Sequence, residues 1–292
     1  MTSRIWMLTP VASHHRELFL ERLREQVREA PDPRDVRVVA VLQTDEADDA
    51  RRLEGDARAI LPDARVLHQA VPGVSRARNR ALKDCLARAS ARDFVIFRDC
   101  RSVLETRYLE ALQSAPITTD VARVSKHLWT EGFPRSPASV VSVRQHYDII
   151  GRSSVSTLAF RPLILEGMLF PETMGPGRDT GIKSGEDTMF LSRVFSGRGD
   201  WSVRQLPGAV FQMPRTDLTE KHRDYADGQV CVSQILMQDR RLPLTVRTVA
   251  TLRLGLFALA TLRFLRPGGG EIFRARLKAL TLITSQAASE PG

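Results

Sequence analysis

The sequence predicts an α/β protein: a mostly parallel sheet flanked by helices, followed by a helical C-terminal extension. Three observations carry this expectation. Short, nearly all-apolar runs recur at 5–10, 36–42 and 94–97, as suits strands buried on both faces. Amphipathic helical patterns lie between several of them. The runs end in proline or in polar residues, which marks one edge of the sheet as polar.

Taken in order, Ile5-Trp6-Met7-Leu8-Thr9-Pro10 is a buried strand closed by proline. A helix follows with Phe19, Leu23 and Val27 on one stripe, and Pro31 and Pro33 break it. Residues 36–42 form the second strand and run into Gln43-Thr44-Asp45. A weaker strand at 64–69 leads through Pro72-Gly73 to a helix from about Ser75, with Ala81, Leu82, Cys85, Leu86 and Ala89 turned inward. Phe94-Val95-Ile96-Phe97 is the fourth strand and ends in Arg98-Asp99-Cys100-Arg101. Ligands of parallel sheets sit beyond the carboxyl ends of the strands, which puts Pro10, Asp45, Gly73 and Asp99 on the candidate edge.

The later chain is less regular. Residues 121–129 and 140–143 read as strands around a loop with Pro134 and Pro137. Residues 155–160 read as a strand closed by Arg161-Pro162, and 203–206 and 209–212 as two short strands split by Pro207-Gly208. From Thr219 the pattern is helical, with an apolar but Arg-studded stretch at 246–265, a basic helix at 271–284 and a disordered tail after 285. These shifts divide the chain at about residue 215, into 1–215 and 216–292.

Gly185-Glu186-Asp187 opens another helical pattern, with Met189, Phe190, Arg193 and Val194 at helix spacings. Carboxylates in a first helical turn are stabilised by the helix dipole, and an acidic first turn is the plain reading. A Gly/Pro-rich approach, residues 170–178, makes a second reading available: a loop-presented carboxylate serving as general base to a bound hydroxyl.

Composition sets bounds. The 292 residues suffice for one large or two small domains. The net charge of +9, carried mostly by Arg, suits nucleotides, anionic lipid or nucleic acid, and is equally what a compositional habit of the source genome produces. Cys85, Cys100 and Cys231 form no metal-ligand or disulfide spacing, which fits reduced, cytoplasmic conditions. No stretch reads as a secretion signal or a spanning helix. The first loop, 9–15, contains no glycine, against a dehydrogenase or nucleotidyltransferase, and no basic-aromatic pattern supports nucleic-acid binding.

The order of motifs resembles that of bacterial family-2 glycosyltransferases. Gly73-Val74-Ser75-Arg76-Ala77-Arg78-Asn79-Arg80-Ala81-Leu82 resembles the family's G-x-S-x-A-R-N-x-A/G-L element. Phe97-Arg98-Asp99-Cys100-Arg101 stands where the family carries F-x-D-x-D, and residues 170–177 with Gly185-Glu186-Asp187 look like its acceptor loop and G-E-D element. The resemblance covers about residues 3–215. It implies a GT-A fold, Rossmann-like, and transfer of a sugar from a nucleotide-diphosphosugar donor of UDP or GDP type to a saccharide or lipid-linked saccharide, as in surface-polysaccharide synthesis. By the same resemblance Thr9 and Pro10 line the base and ribose, Asp45 contacts the base, and Arg78 and Asn79 support the donor floor. Asp99 is then the first carboxylate of the metal motif and Asp187 the base, with Glu186 beside it as acceptor ligand or cap.

Two positions depart from the family pattern. Its second motif Asp is Arg101 here, and its late metal-ligand His is Gln212. Either Arg101 replaces the metal's charge, since Arg grips phosphate well, or donor binding has decayed and the chain is a non-catalytic relative. The divalent metal is therefore in question. The apolar, Arg-studded 246–265 reads either as a core helix or as an interfacial helix on the anionic inner face of the membrane.

Overall fold

The structure, a computed structural model, describes residues 3–128, 154–177, 180–196, 201–213 and, with gaps, 228–252. They fall into two compact units. The first comprises the described parts of Met1–Gln145, Ser153–Phe170 and Asp200–Pro214, and the second those of Pro171–Gly199 and Arg215–Gly292. The expected strand at 140–143, the Pro134/Pro137 loop and everything expected beyond residue 252 lie outside the described residues.

The first unit is an eight-stranded sheet. Its strands are β1 (Ile5–Ala12), β2 (Val36–Gln43), β3 (Arg65–Gln69), β4 (Phe94–Phe97), β5 (Ser102–Leu104), β6 (Val121–Leu128), β7 (Leu158–Phe160) and β8 (Val203–Gln212). Their spatial order is β3-β2-β1-β4-β7-β6-β8-β5. β3, β2, β1 and β4 are all parallel, the arrangement their two-faced burial predicts. The other half is mixed: β7 runs antiparallel to β4 and β6, β6 and β8 are parallel, and β5 is antiparallel to β8.

Helices α1 (Arg16–Glu29), α2 (Ala47–Ile60), α3 (Val74–Leu86), α4 (Thr106–Gln113) and the short α5 (Pro162–Leu165) belong to this unit. Ile5, Met7, Leu8 and Val11 of β1 are fully buried, each worth about 1.5–3 kcal/mol of transfer free energy. At the opposite, amino-terminal edge, Asp93 accepts from Arg4 N, Trp6 Nε1 and the Ser90 hydroxyl. Arg161 donates to the carbonyls of Thr119, Pro116 and Arg92 while covering the Phe94 ring.

Several expectations are corrected. β1 does not end at Pro10 but runs to Ala12. Leu8, the residue level with β4's last residue Phe97, accepts from Arg98 N, so Pro10 faces the same side beyond the end of β4 and no ladder donor is lost. Only Leu158–Phe160 of the expected strand at 155–160 is extended; Val155–Thr157 is a 3-10 turn started by the Ser154 side chain. The helix α2 went unpredicted because its buried stripe is only Ala50, Leu53 and Ala57 in a highly charged segment. β5 and α4 were likewise unpredicted, β5 being three residues long.

The expected pair 203–206 and 209–212 is one strand. Along β6 only one residue separates Arg123 from Ser125, whereas their partners on β8, Gln205 and Ala209, are separated by three. Leu206-Pro207-Gly208 thus bulges out instead of breaking the strand. Gly208 has φ of 94°, and a Cβ there would lie 2.6 Å from the Tyr108 backbone nitrogen of α4. Gly208→Ala is expected to lower stability by at least about 1–2 kcal/mol from left-handed strain alone. Gly55→Ala on α2, with nothing within 4 Å of the added methyl, is expected to raise it by about 0.5–1 kcal/mol. Urea unfolding midpoints check both, and equal midpoints for the two variants would contradict the bulge geometry.

Candidate functional site

The carboxyl edge of the parallel half is squared off. Ala12, Gln43 and Gln69, the last residues of β1, β2 and β3, stand level across the sheet. Gln43 Oε1 accepts from Gly73 N at 2.6 Å, and Gln69 Nε2 donates to Val71 O at 2.8 Å and Gly73 O at 3.2 Å. These two amides fix the turn that launches α3. Thr9 sits wholly buried within β1, its hydroxyl without a hydrogen-bond partner, while Pro10 is half-buried. Asp45 is exposed in the loop between β2 and α2.

Arg78 and Asn79, on the second turn of α3, both act on Phe170. Asn79 Nδ2 donates to Phe170 O at 3.0 Å, and Asn79 Oδ1 accepts from Phe170 N at 2.8 Å. The Arg78 guanidinium carbon lies 5.0 Å from the centre of the Phe170 ring, which also meets Phe97 edge-on at 4.9 Å. Asn79 therefore holds the backbone immediately ahead of Pro171, where the acceptor-like loop begins.

After β4 the chain turns sharply. Arg98 is fully buried, with Nε donating to Ser102 O at 2.7 Å, and burial pushes its guanidinium down to about 10. Asp99 is half-buried. Its Oδ1 accepts from Arg101 N at 2.9 Å and Arg101 Nε at 3.2 Å, and its Oδ2 from Arg101 Nη2 at 3.0 Å and Gln212 Nε2 at 3.1 Å. Gln212 gets there because the β8 bulge sets a register in which it faces Ser102 on β5. Cys100 is buried beside them, its thiol pushed up to about 12 by burial.

A divalent ion at this motif needs carboxylate oxygens directed at one point. Here the only motif carboxylate is bound along its length by a guanidinium, and the position facing it carries an amide donor. Asp99 and its neighbours do not fit a hard divalent cation. Among the described residues no three His, Cys, Asp or Glu side chains converge as a metal site.

In the second unit α6 (Glu186–Ser196) begins with both carboxylates in its first turn, as expected. Phe190, Leu191, Val194 and Phe195 are buried, whereas Arg193 is exposed. Glu186 and Asp187 are half-buried. The approach is ordered: Gly175 N donates to Ile182 O at 2.8 Å, and Lys183 Nζ donates to Gly177 O at 2.8 Å. A Cβ on Gly175 would come within 3.1 Å of the Glu186 carboxyl carbon. Gly185 has φ of 93°, and a Cβ there would strike the Val232 side chain and approach Gly228 O at 3.3 Å. The turn before the two carboxylates is thus pressed against the helix at 228–238.

The sequence marked Asp99, Arg101, Arg78 and Asn79 singly. It did not reveal that Gln212 joins the first pair or that Asn79 holds Phe170, because both depend on pairings 91 or more residues apart.

No family model matches the chain, and no curated protein matches its sequence. Solved structures do match. The first 349 residues of S. aureus TarS in complex with UDP-GlcNAc are 17% identical, over 87% of this chain and 71% of that one, with a TM-score of 0.60. The same TarS segment without that ligand gives 0.59. The mannosyltransferase PcManGT of Pyrobaculum calidifontis, in complex with GDP-Man and Mn2+, is 15% identical over 100% of this chain and 77% of that one, with a TM-score of 0.58. The chain therefore has the GT-A fold that its motifs imply.

Asn79→Ala is expected to strand the buried N–H and C=O of Phe170, at about 1–3 kcal/mol each. Chemical denaturation measures the loss, and an unchanged unfolding free energy would show that Asn79 does not hold this segment.

Proposed function

We propose that this protein is a glycosyltransferase that moves a sugar from a UDP- or GDP-type donor to a hydroxyl of a saccharide or lipid-linked saccharide in surface-polysaccharide synthesis. The observation that carries this is the polar carboxyl edge of a GT-A sheet, with the two-carboxylate start of α6 following in the chain. The structural neighbours, described by the sugar nucleotides bound to them, support the donor class.

In this reading Thr9, Pro10 and Asp45 form the base and ribose side of the donor site. Arg78 and Asn79 stabilise its floor through Phe170. Asp99 and Arg101 stand at the diphosphate. Residues 1–215 carry catalysis and 216–292 the helical extension. Asp187 takes the proton of the acceptor hydroxyl as its oxygen attacks the anomeric carbon, and the nucleoside diphosphate leaves with the bonding electrons of the glycosidic bond. Glu186 binds the acceptor or caps the helix.

Asp187→Asn is expected to keep nucleotide affinity and lose transfer by about 10²–10⁴-fold. Radiolabelled sugar transfer and nucleotide titration, run on the same preparation, check both halves. Transfer at the wild-type rate overturns the assignment of the base. Nucleotide binding without turnover in the unmodified protein would instead favour the non-catalytic relative, a reading that the Asp99–Arg101 ion pair also supports.

An anionic membrane surface is the proposed location of the acceptor, on the cytoplasmic side. Leu244 and Leu252, eight positions apart in helical segments, are 73% and 61% exposed, and Arg247 lies between them. No described helix is long and apolar enough to cross a membrane. The protein is expected to sediment with anionic liposomes at low salt and to release at high salt, and Leu244→Glu/Leu252→Glu to stay in the supernatant. Sedimentation of that variant equal to wild type contradicts this location.

A further inference from the structure

The two departures from the family's metal motif meet on one carboxylate. Arg101 replaces the second carboxylate and Gln212 replaces the late histidine, and both donate to Oδ2 of Asp99. A substitution that only destroyed a metal site would have no reason to rebuild a hydrogen-bonded cluster from the residues at all three positions. Strand register makes the cluster specific: Gln212 faces Ser102 across β5 and β8, so its amide reaches back to the turn just before β5.

Charge makes the same point. Two carboxylates with a divalent ion sum to zero formal charge, and so do Asp99 and Arg101. The diphosphate would therefore meet a comparable electrostatic environment with no ion bound. Arg98, fully buried one residue before Asp99, adds positive charge behind it, which opposes any further cation. The Asp99–Arg101 pair is partly exposed, with side-chain exposures of 32% and 14%, and such pairs contribute only about 0–1 kcal/mol to folding. Its main effect is orientation: a guanidinium is a fork of five N–H donors, and Asp99 engages Nε and Nη2 and so fixes its plane.

We infer that the donor diphosphate is held by Arg101, oriented by Asp99 and Gln212, in place of a divalent cation. Arg101 is the phosphate ligand. Asp99 and Gln212 are positioning residues. The inference rests on the nucleotide-sugar reading above and specifies how that site binds phosphate.

The test is calorimetric titration of the full chain with UDP and with GDP, in EDTA and in Mn2+. The preferred nucleotide is expected to bind with the same affinity, within about twofold, in both conditions. Arg101→Ala is expected to weaken binding about 10- to 100-fold in both, the loss of charge-assisted hydrogen bonds. Gln212→Ala should weaken it less, since it removes only the support of Asp99. Arg101→Asp/Gln212→His is expected to bind poorly in EDTA and to recover in Mn2+, because it supplies the carboxylate and imidazole that a cation needs. The unmodified protein gives a result that no folding defect can obscure. If its nucleotide binding disappears in EDTA and returns with Mn2+, the inference is overturned and the transferase reading stands. If neither nucleotide binds in either condition, both fall together. Unchanged affinity in a folded Arg101→Ala also overturns the inference.

Discussion

A strand buried on both faces leaves little room for chemistry along its length. β1, β2 and β4 are such strands, and every polar group placed within them would have to find a partner or cost several kcal/mol. Function is driven to the ends. The two ends of this sheet are used differently. The amino-terminal edge closes on itself through Asp93 and Arg161, whose hydrogen bonds go to backbone and neighbouring side chains. The carboxyl edge instead gathers Gln43, Gln69, Asp45 and Asp99 around loops, the arrangement from which a ligand site can be built.

The mixed half of the sheet serves that edge at one point. β8 would present a different face to β5 if its register slipped by one residue. The Leu206-Pro207-Gly208 bulge and its close contact with Tyr108 set the register. That contact is purely steric, yet it decides that a glutamine amide, and not an apolar side chain, reaches Asp99. Packing around α4 is thus coupled to which side chain reaches Asp99.

The parallel half of the fold could be read from the sequence because its signal is local: Phe94-Val95-Ile96-Phe97 announces a buried strand within four residues. The start of α6 was equally clear, since a glycine and two carboxylates ahead of an apolar period have few other uses. What could not be read was set by distant partners. β5 is too short to show a pattern, and it exists because β8 pairs with it. Half of α2 is charged, and its buried stripe is only three small or aliphatic residues, Ala50, Leu53 and Ala57. Asn79 was tied to the donor floor by the resemblance alone, and what it holds, the backbone of Phe170, is set by a pairing 91 residues away. The same limit applied to Gln212, which by itself signals only the absence of a histidine.

The second unit bears on how the proposed base is presented. Gly185 must be glycine for two independent reasons, a left-handed backbone and the press of Val232 and Gly228. The second reason comes from the helix at 228–238, in the part of the chain that composition alone would set apart as an extension. Val230, Val232 and Leu236 of that helix are buried, so its contact with the Ser184–Gly185 turn is part of a packed core. Fixing the turn fixes the first residues of α6, and with them the direction in which Glu186 and Asp187 leave the backbone. A carboxylate acting as base has to meet its proton donor at about 2.6–3.2 Å, a tolerance that a freely hinged loop does not meet. The helix at 228–238 therefore supplies rigidity to the element that carries the proposed base.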